Sequence, residues 1–114
     1  MKTTPKKIII GTGYMRAFFL ADSNFKEVKK DENGIVSSGV YKGIPVEVNN
    51  DKIADSVDEK ELLSAEELKQ MGIDLIILNN PKIRVLSYKK KNILYMIIDD
   101  KAFDDFLSNI VNES

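Results

Sequence analysis

A chain of 114 residues, 43% hydrophobic and 31% charged, suits one globular domain large enough to bury its own core. It contains no Cys, His or Trp, which excludes disulfides, thiolate and imidazole chemistry, and the usual zinc and copper sites. Its net charge of −1 hides an uneven layout: residues 1–30 hold seven basic and two acidic groups, residues 31–75 four basic and eleven acidic.

That layout suits electrostatic complementarity with a protein partner or with copies of the chain itself, and it equally suits solvated faces. Near-neutral charge with few interleaved aromatics argues against a nucleic-acid groove. Only three apolar residues follow the basic start before Gly11, too few for a secretory signal. No run approaches the roughly 20 apolar residues of a membrane span. The expectation is a soluble protein without a membrane partner, and a single α+β domain over residues 1–114.

Residues 1–6 are polar and contain Pro5, and read as a flexible lead-in. Lys7–Ile10 is β-branched and apolar, a buried strand. Gly11-Thr12-Gly13 breaks it. The sequence after it lacks the third glycine of a dinucleotide loop and the Gly-Lys-Ser/Thr of a phosphate loop, so Thr12 is expected to cap a helix instead. Tyr14, Phe18, Ala21 and Phe25 share one helical face, and a helix is expected near residues 12–23. Asp22-Ser23-Asn24 can end that helix or cap a second short turn over residues 25–29.

Asn33-Gly34 is the strongest turn signal in the chain. Short extended pieces follow at residues 35–36 and 40–41. Ile44, Val46 and Val48 then alternate with Pro45, Glu47 and Asn49, the pattern of a half-buried strand. Pro45 has no N–H, which points to a sheet edge or a bulge. Residues 50–61 are the most acidic and least periodic, and read as a surface loop. Asp51, Asp55, Asp58, Glu59 and Glu61 lack the spacing of a calcium loop.

A helix over 64–71 follows. Ser64 and Glu67 form a capping box, Leu63 and Leu68 a hydrophobic staple, and Gly72 closes the end. Residues 73–78 read as a buried strand. Residues 83–88 and 93–98 read as a hairpin around Lys89-Lys90-Lys91-Asn92. Asp99 or Asp100 caps a last helix over 100–111. Its expected buried stripe is Phe103, Phe106, Leu107, Ile110 and Val111, with Asp100, Asp104 and Asp105 facing away. The sum is a mixed or antiparallel sheet of about five strands with three helices packed on it.

Enzyme chemistry finds little support. Asp99-Asp100 and Asp104-Asp105 are adjacent, so on a helix they diverge by about 100° and do not make an acid/base dyad. Ser37-Ser38 lacks any nucleophile signature. No catalytic, cofactor or metal residue is assigned. The expected role is non-enzymatic.

One order of residues stands out. An aromatic-rich helix leads to Asp22-Ser23-Asn24-Phe25, then Asn33-Gly34-Ile35-Val36, then Gly39-Val40-Tyr41-Lys42-Gly43-Ile44-Pro45-Val46, ending in Asn49-Asn50. This order resembles the axial-domain segment of tailed-phage major capsid proteins over residues 8–80. The chain departs from that family at Ser37-Ser38, which lengthen the interval before Gly39, and it has no room for the long spine helix, extended loop and N-terminal arm. The resemblance therefore implies a capsid-domain relative: an auxiliary or decoration protein, an assembly factor, or a truncated domain. It implies self-assembly or a protein partner, and a place in the virion or the host cytoplasm. The alternative is a small phage- or mobile-element-encoded inhibitor of a host defence factor, acting through its acidic surface. A third class, binding a phosphorylated small molecule, would use residues 11–13. Candidate partner contacts are Gly39, Tyr41, Lys42, Glu47, Asp51, Asp55, Asp58, Glu59 and Glu61.

Overall fold

The structure is a computed structural model and describes residues 3–112. Its six strands are β1 (Lys7–Ile10), β2 (Phe25–Lys30), β3 (Val36–Tyr41), β4 (Ile44–Val48), β5 (Val85–Lys90) and β6 (Ile93–Ile98). They form one mixed sheet in the order β2-β3-β4-β1-β6-β5. Helices α1 (Tyr14–Ala21), α2 (Ala65–Gln70) and α3 (Asp100–Asn112) complete the α+β domain.

β1 is the centre of the sheet. It runs parallel to β4 on one side and to β6 on the other, and every other pairing is antiparallel. Ile8 and Ile10 join Val46, Leu94 and Met96 on the core face, against Met15 and Phe19 of α1, Leu68 of α2 and Phe103 of α3. Side chains alternate along a strand, so Ile9, Tyr95 and Ile97 point to the other face. The register places Glu47, Ile9, Tyr95 and Tyr88 in one row across four strands on that face.

Two hairpin turns are set by local chemistry. Lys42 and Gly43 have φ of 49° and 84°, and Lys91 and Asn92 have φ of 53° and 61°. Both central residues lie in the left-handed region, the twist that matches two-residue hairpins. The basic tip therefore narrows to Lys91-Asn92. The helix over α2 forms as its sequence dictates. Ser64 and Glu67 make the reciprocal capping box. At the far end Ile73 N–H donates to Leu68 O and Gly72 N–H to Lys69 O, with Gly72 at φ 93°. That pair of bonds is a Schellman closure, and buried Leu68 and Ile73 supply its hydrophobic contact.

Several expectations need correction. Residues 25–30 are a strand, not a helical turn, and they supply the sixth strand. The two short pieces around Ser37 and Ser38 are one strand, β3. β4 lies inside the sheet, not at its edge. Pro45 is accommodated because pairing with β1 begins one residue later, at Ile8 opposite Val46. Residues 73–78 turn into a 3₁₀ segment at Ile76–Asn79, which buries Ile77 and leaves Ile76 in solvent. α1 starts at Tyr14 with Gly13 ahead of it and no side-chain cap; Thr12 pairs instead with Asn50.

Asp99 is the residue that caps α3, accepting from the Ala102 N–H. Phe103 is buried, but Leu107, Ile110 and Val111 are exposed, so the expected stripe is covered only over its first turns. Asp104 does not face away. It accepts a 2.7 Å hydrogen bond from the Tyr14 hydroxyl and ties α3 to α1, where the Tyr14 and Phe103 rings lie 4.4 Å apart. Within the expected flexible lead-in, Pro5 is buried and Lys6 N–H donates to Asn92 O, while residues 1–2 lie outside the described residues.

Candidate functional site

The acidic loop lies on the sheet face opposite the helices, and local bonds give it shape. The Asn49 side chain accepts from Asp51 N–H and opens a 3₁₀ turn at Asn50–Lys52. The Asp58 side chain accepts from Lys60 N–H and opens another at Glu59–Glu61. Between them Ala54 N–H donates to the Tyr88 hydroxyl at 2.7 Å. Leu63 N–H then donates to Ser87 O at 2.8 Å and fastens the loop's far end to β5.

Beneath this arch is a cavity of about 280 Å³. Leu86, Tyr88 and Ile97 form its floor, and Ile53, Val57 and Leu62 its inner wall. Asp55, Glu59 and Arg84 stand at its rim. Arg84 and Glu59 pair at 3.6 Å with side chains 55% and 86% exposed, a pair that solvent renders weak.

A second polar cluster sits beside β1. Glu47 accepts from Lys7 at 2.7 Å and from Asn49 at 3.1 Å, and pairs with Lys52 at 3.1 Å. The Lys7 ammonium holds the Glu47 carboxyl down at about 2 against an ordinary 4.5, with Lys52 and Asn49 adding to it against a smaller opposing effect of burial. A carboxylate whose folded pKa is lowered stabilises the fold above its unfolded pKa and loses that stabilisation as pH falls through the folded value. We therefore expect wild type to lose about 1 kcal/mol more than Glu47→Gln between about pH 6 and pH 2, a figure held low by solvent screening. Urea melts at the two pH values read this directly, and equal losses would refute the assignment.

The candidate contacts separate into groups. Tyr41 is fully buried, with its hydroxyl accepting from Asp74 N–H, and Gly39 lies beneath the Phe25 ring, so neither offers surface. Lys42 is exposed at the β3–β4 turn, 5.5 Å from the Tyr41 ring centre. Glu47 is held in its lysine cluster. Asp51 and Glu61 are exposed in the two 3₁₀ turns, and Asp58 is a cap. Asp55 and Glu59 are the two that converge, on one cavity rim.

The glycine turn does not present an open phosphate cradle. Asn50 Oδ1 takes the Thr12 N–H, and a Cβ on Gly13 would fall 2.9 Å from an Asp100 carboxylate oxygen, a repulsive neighbour for an anion. Among the described residues no group of three or more acidic side chains gathers as a metal ion requires, and no helix is long and apolar enough to cross a membrane.

An apolar face of the helical layer was not foreseen. Ile76 is 85% exposed, Ile110 50% and Leu107 39%. Phe18, Phe103 and Phe106 form a chain of ring contacts between α1 and α3. A groove of about 430 Å³ runs along α3 by Phe106 and Ile110, bordered by Lys82 and Asp105. A groove of about 230 Å³ lies between Phe18 and Ile76. The available signal was α3 itself, whose apolar stripe is longer than its contact with α1. Compared with known families, curated proteins and solved structures, the chain matches none of them.

Proposed function

We propose that this chain is a non-enzymatic structural protein of the phage-capsid-domain kind, auxiliary or assembly-related, which works through protein–protein contacts and self-association. The observation that carries this reading is the exposed apolar face of α3 and the Ile76 turn. Clustered exposed aliphatic side chains, bordered by charge, mark association surfaces. A second copy is the natural occupant: Lys82 and Asp105 border the same groove, so a two-fold dimer can set lysine of one copy against aspartate of the other. Within residues 8–80, which carry the resemblance to capsid axial domains, residues 25–48 fold as one continuous meander, β2-β3-β4, docked on β1 through β4. The test is mass by light scattering across a concentration series, with recovery from purified particles. We expect concentration-dependent self-association that Leu107→Asp with Ile110→Asp abolishes. A strictly monomeric wild-type protein that is absent from particles would overturn the proposal.

The alternative, an inhibitor that covers a basic host surface, is favoured by a different observation, the acid-rimmed cavity under the loop.

A further inference from the structure

We propose that the cavity beneath the acidic loop receives one large apolar side chain from a protein segment that carries lysine or arginine beside it. The size of the cavity selects the occupant. At about 280 Å³ it lies just under the roughly 300–1,000 Å³ of sites that enclose whole small molecules. It exceeds the roughly 150 Å³ of an apolar cavity that takes up benzene, so it has room for a leucine, methionine or phenylalanine side chain. Its floor and wall are mostly apolar: Leu86, Ile97, Val57 and Leu62 have no polar side-chain atom to offer, and the Tyr88 hydroxyl already accepts from Ala54 N–H.

The rim sets the charge of the flanking residues. Asp55 and Glu59 outnumber Arg84, and the rest of the loop adds exposed Asp51, Asp58 and Glu61 against Lys52 and Lys60, of which Lys52 is paired with Glu47. Glu59 is poorly engaged, 86% exposed and 3.6 Å from Arg84, so a cationic side chain can take it without breaking a strong pair. The opening is preorganised. Ala54 N–H on the Tyr88 hydroxyl fixes the arch within its span and Leu63 N–H on Ser87 O fixes its far end, so little loop ordering is left for binding to impose. An apolar anchor in a pocket inside a charged rim is the arrangement of a protein-recognition hot spot. This inference rests on the contact-protein reading only in taking the partner to be protein, and it uses the sheet face opposite the self-association groove.

The test uses the whole chain and short acetylated, amidated peptides of the form Lys-Phe-Lys, with Glu-Phe-Glu, Ser-Phe-Ser and Lys-Ser-Lys as controls. Amide shifts in nitrogen-15 spectra are followed during titration. Lys-Phe-Lys is expected to shift Ala54, Leu86 and Ile97 saturably, with Kd in the range of about 0.1–1 mM. Each control should bind at least about tenfold more weakly, and raising salt from about 50 to 500 mM should weaken binding severalfold. Val57→Trp, at a half-buried residue of the cavity wall, is expected to fill the cavity and abolish binding. The surface pair Asp55→Lys with Glu59→Lys, which leaves the core untouched, should invert the preference toward Glu-Phe-Glu. Absence of saturable shifts, equal binding of Glu-Phe-Glu to wild type, or binding that survives both variants would overturn the proposal. Light scattering of the same samples separates the two claims. Peptide binding by a monomer keeps this inference and removes self-association, and self-association without peptide binding does the reverse.

Discussion

Gly39→Ala is expected to cost about 3 kcal/mol of stability, far more than one methyl on a strand normally does. The reason is contact, not backbone strain. A Cβ at residue 39 would lie 2.3 Å from Phe25 Cζ and 2.5 Å from the Lys26 carbonyl oxygen. The ring can swing, but the carbonyl belongs to the β2–β3 ladder, where Glu27 stands opposite Gly39. Relief requires β2 to move off β3. Gly34→Ala is the control. It sits at φ 77° with nothing within 4 Å, so it meets only the left-handed penalty of about 1 kcal/mol. Urea melts of both variants decide the matter, and equal costs would refute the close-packing account.

Phe19→Ala should be more severe, about 4 kcal/mol. Phe19 is fully buried and meets Phe25 and Tyr41 edge-on, with centroids 6.2 and 5.5 Å away. It joins α1 to the β2–β3 end of the sheet, and its loss removes transfer energy, aromatic contacts and packing together. Phe18, half-buried on the groove wall, should cost about half as much when truncated. Thermal melts provide the measurement, with an expected drop of about 15 °C for Phe19→Ala. A drop no larger than that of Phe18→Ala would show that the core is not centred on Phe19. Such a loss is a large share of the roughly 5–15 kcal/mol that holds a domain of this size.

What could be read from the sequence was mostly what neighbours in sequence decide. Ser64, Glu67, Leu68 and Gly72 lie within nine residues, and their capping box and Schellman closure form as their spacing demands. The alternation of residues 44–48 and the strands flanking Lys91-Asn92 were legible for the same reason. β2 was not. Five of its six residues are exposed, so it shows no apolar period, and only the distant β3 ladder makes it a strand. Residues 73–78 failed in the opposite direction: a short apolar run reads alike whether it enters a sheet or turns in a 3₁₀ coil over the core. Pro45 misled because its missing N–H was taken as a property of the whole strand, whereas pairing with β1 starts just after it.

The candidate surfaces were legible only in part. Acidity singled out the loop, but not which of its carboxylates meet. Asp55 and Glu59 reach one rim because Ala54 and Leu63 are fastened to β5, contacts that no local pattern announces. Gly39 and Tyr41 stood out for the same spacing that makes them structural: one lets β2 approach, the other anchors Asp74 through its hydroxyl.

The central place of β1 sets the order in which this chain can fold. Ile8 lies between Val46 and Leu94, so its two neighbours come from the middle and the far part of the chain. The β2-β3-β4 meander and the β5–β6 hairpin each close over short loops and can form early, whereas the parallel pairings must wait for long-range closure. Until both have arrived, Ile8, Ile9 and Ile10 are an uncovered adhesive segment. Completion of the sheet is then expected to bring the β2-β3-β4 meander and the β5–β6 hairpin together on one short strand. The strand that appears first in the chain is the last to be satisfied.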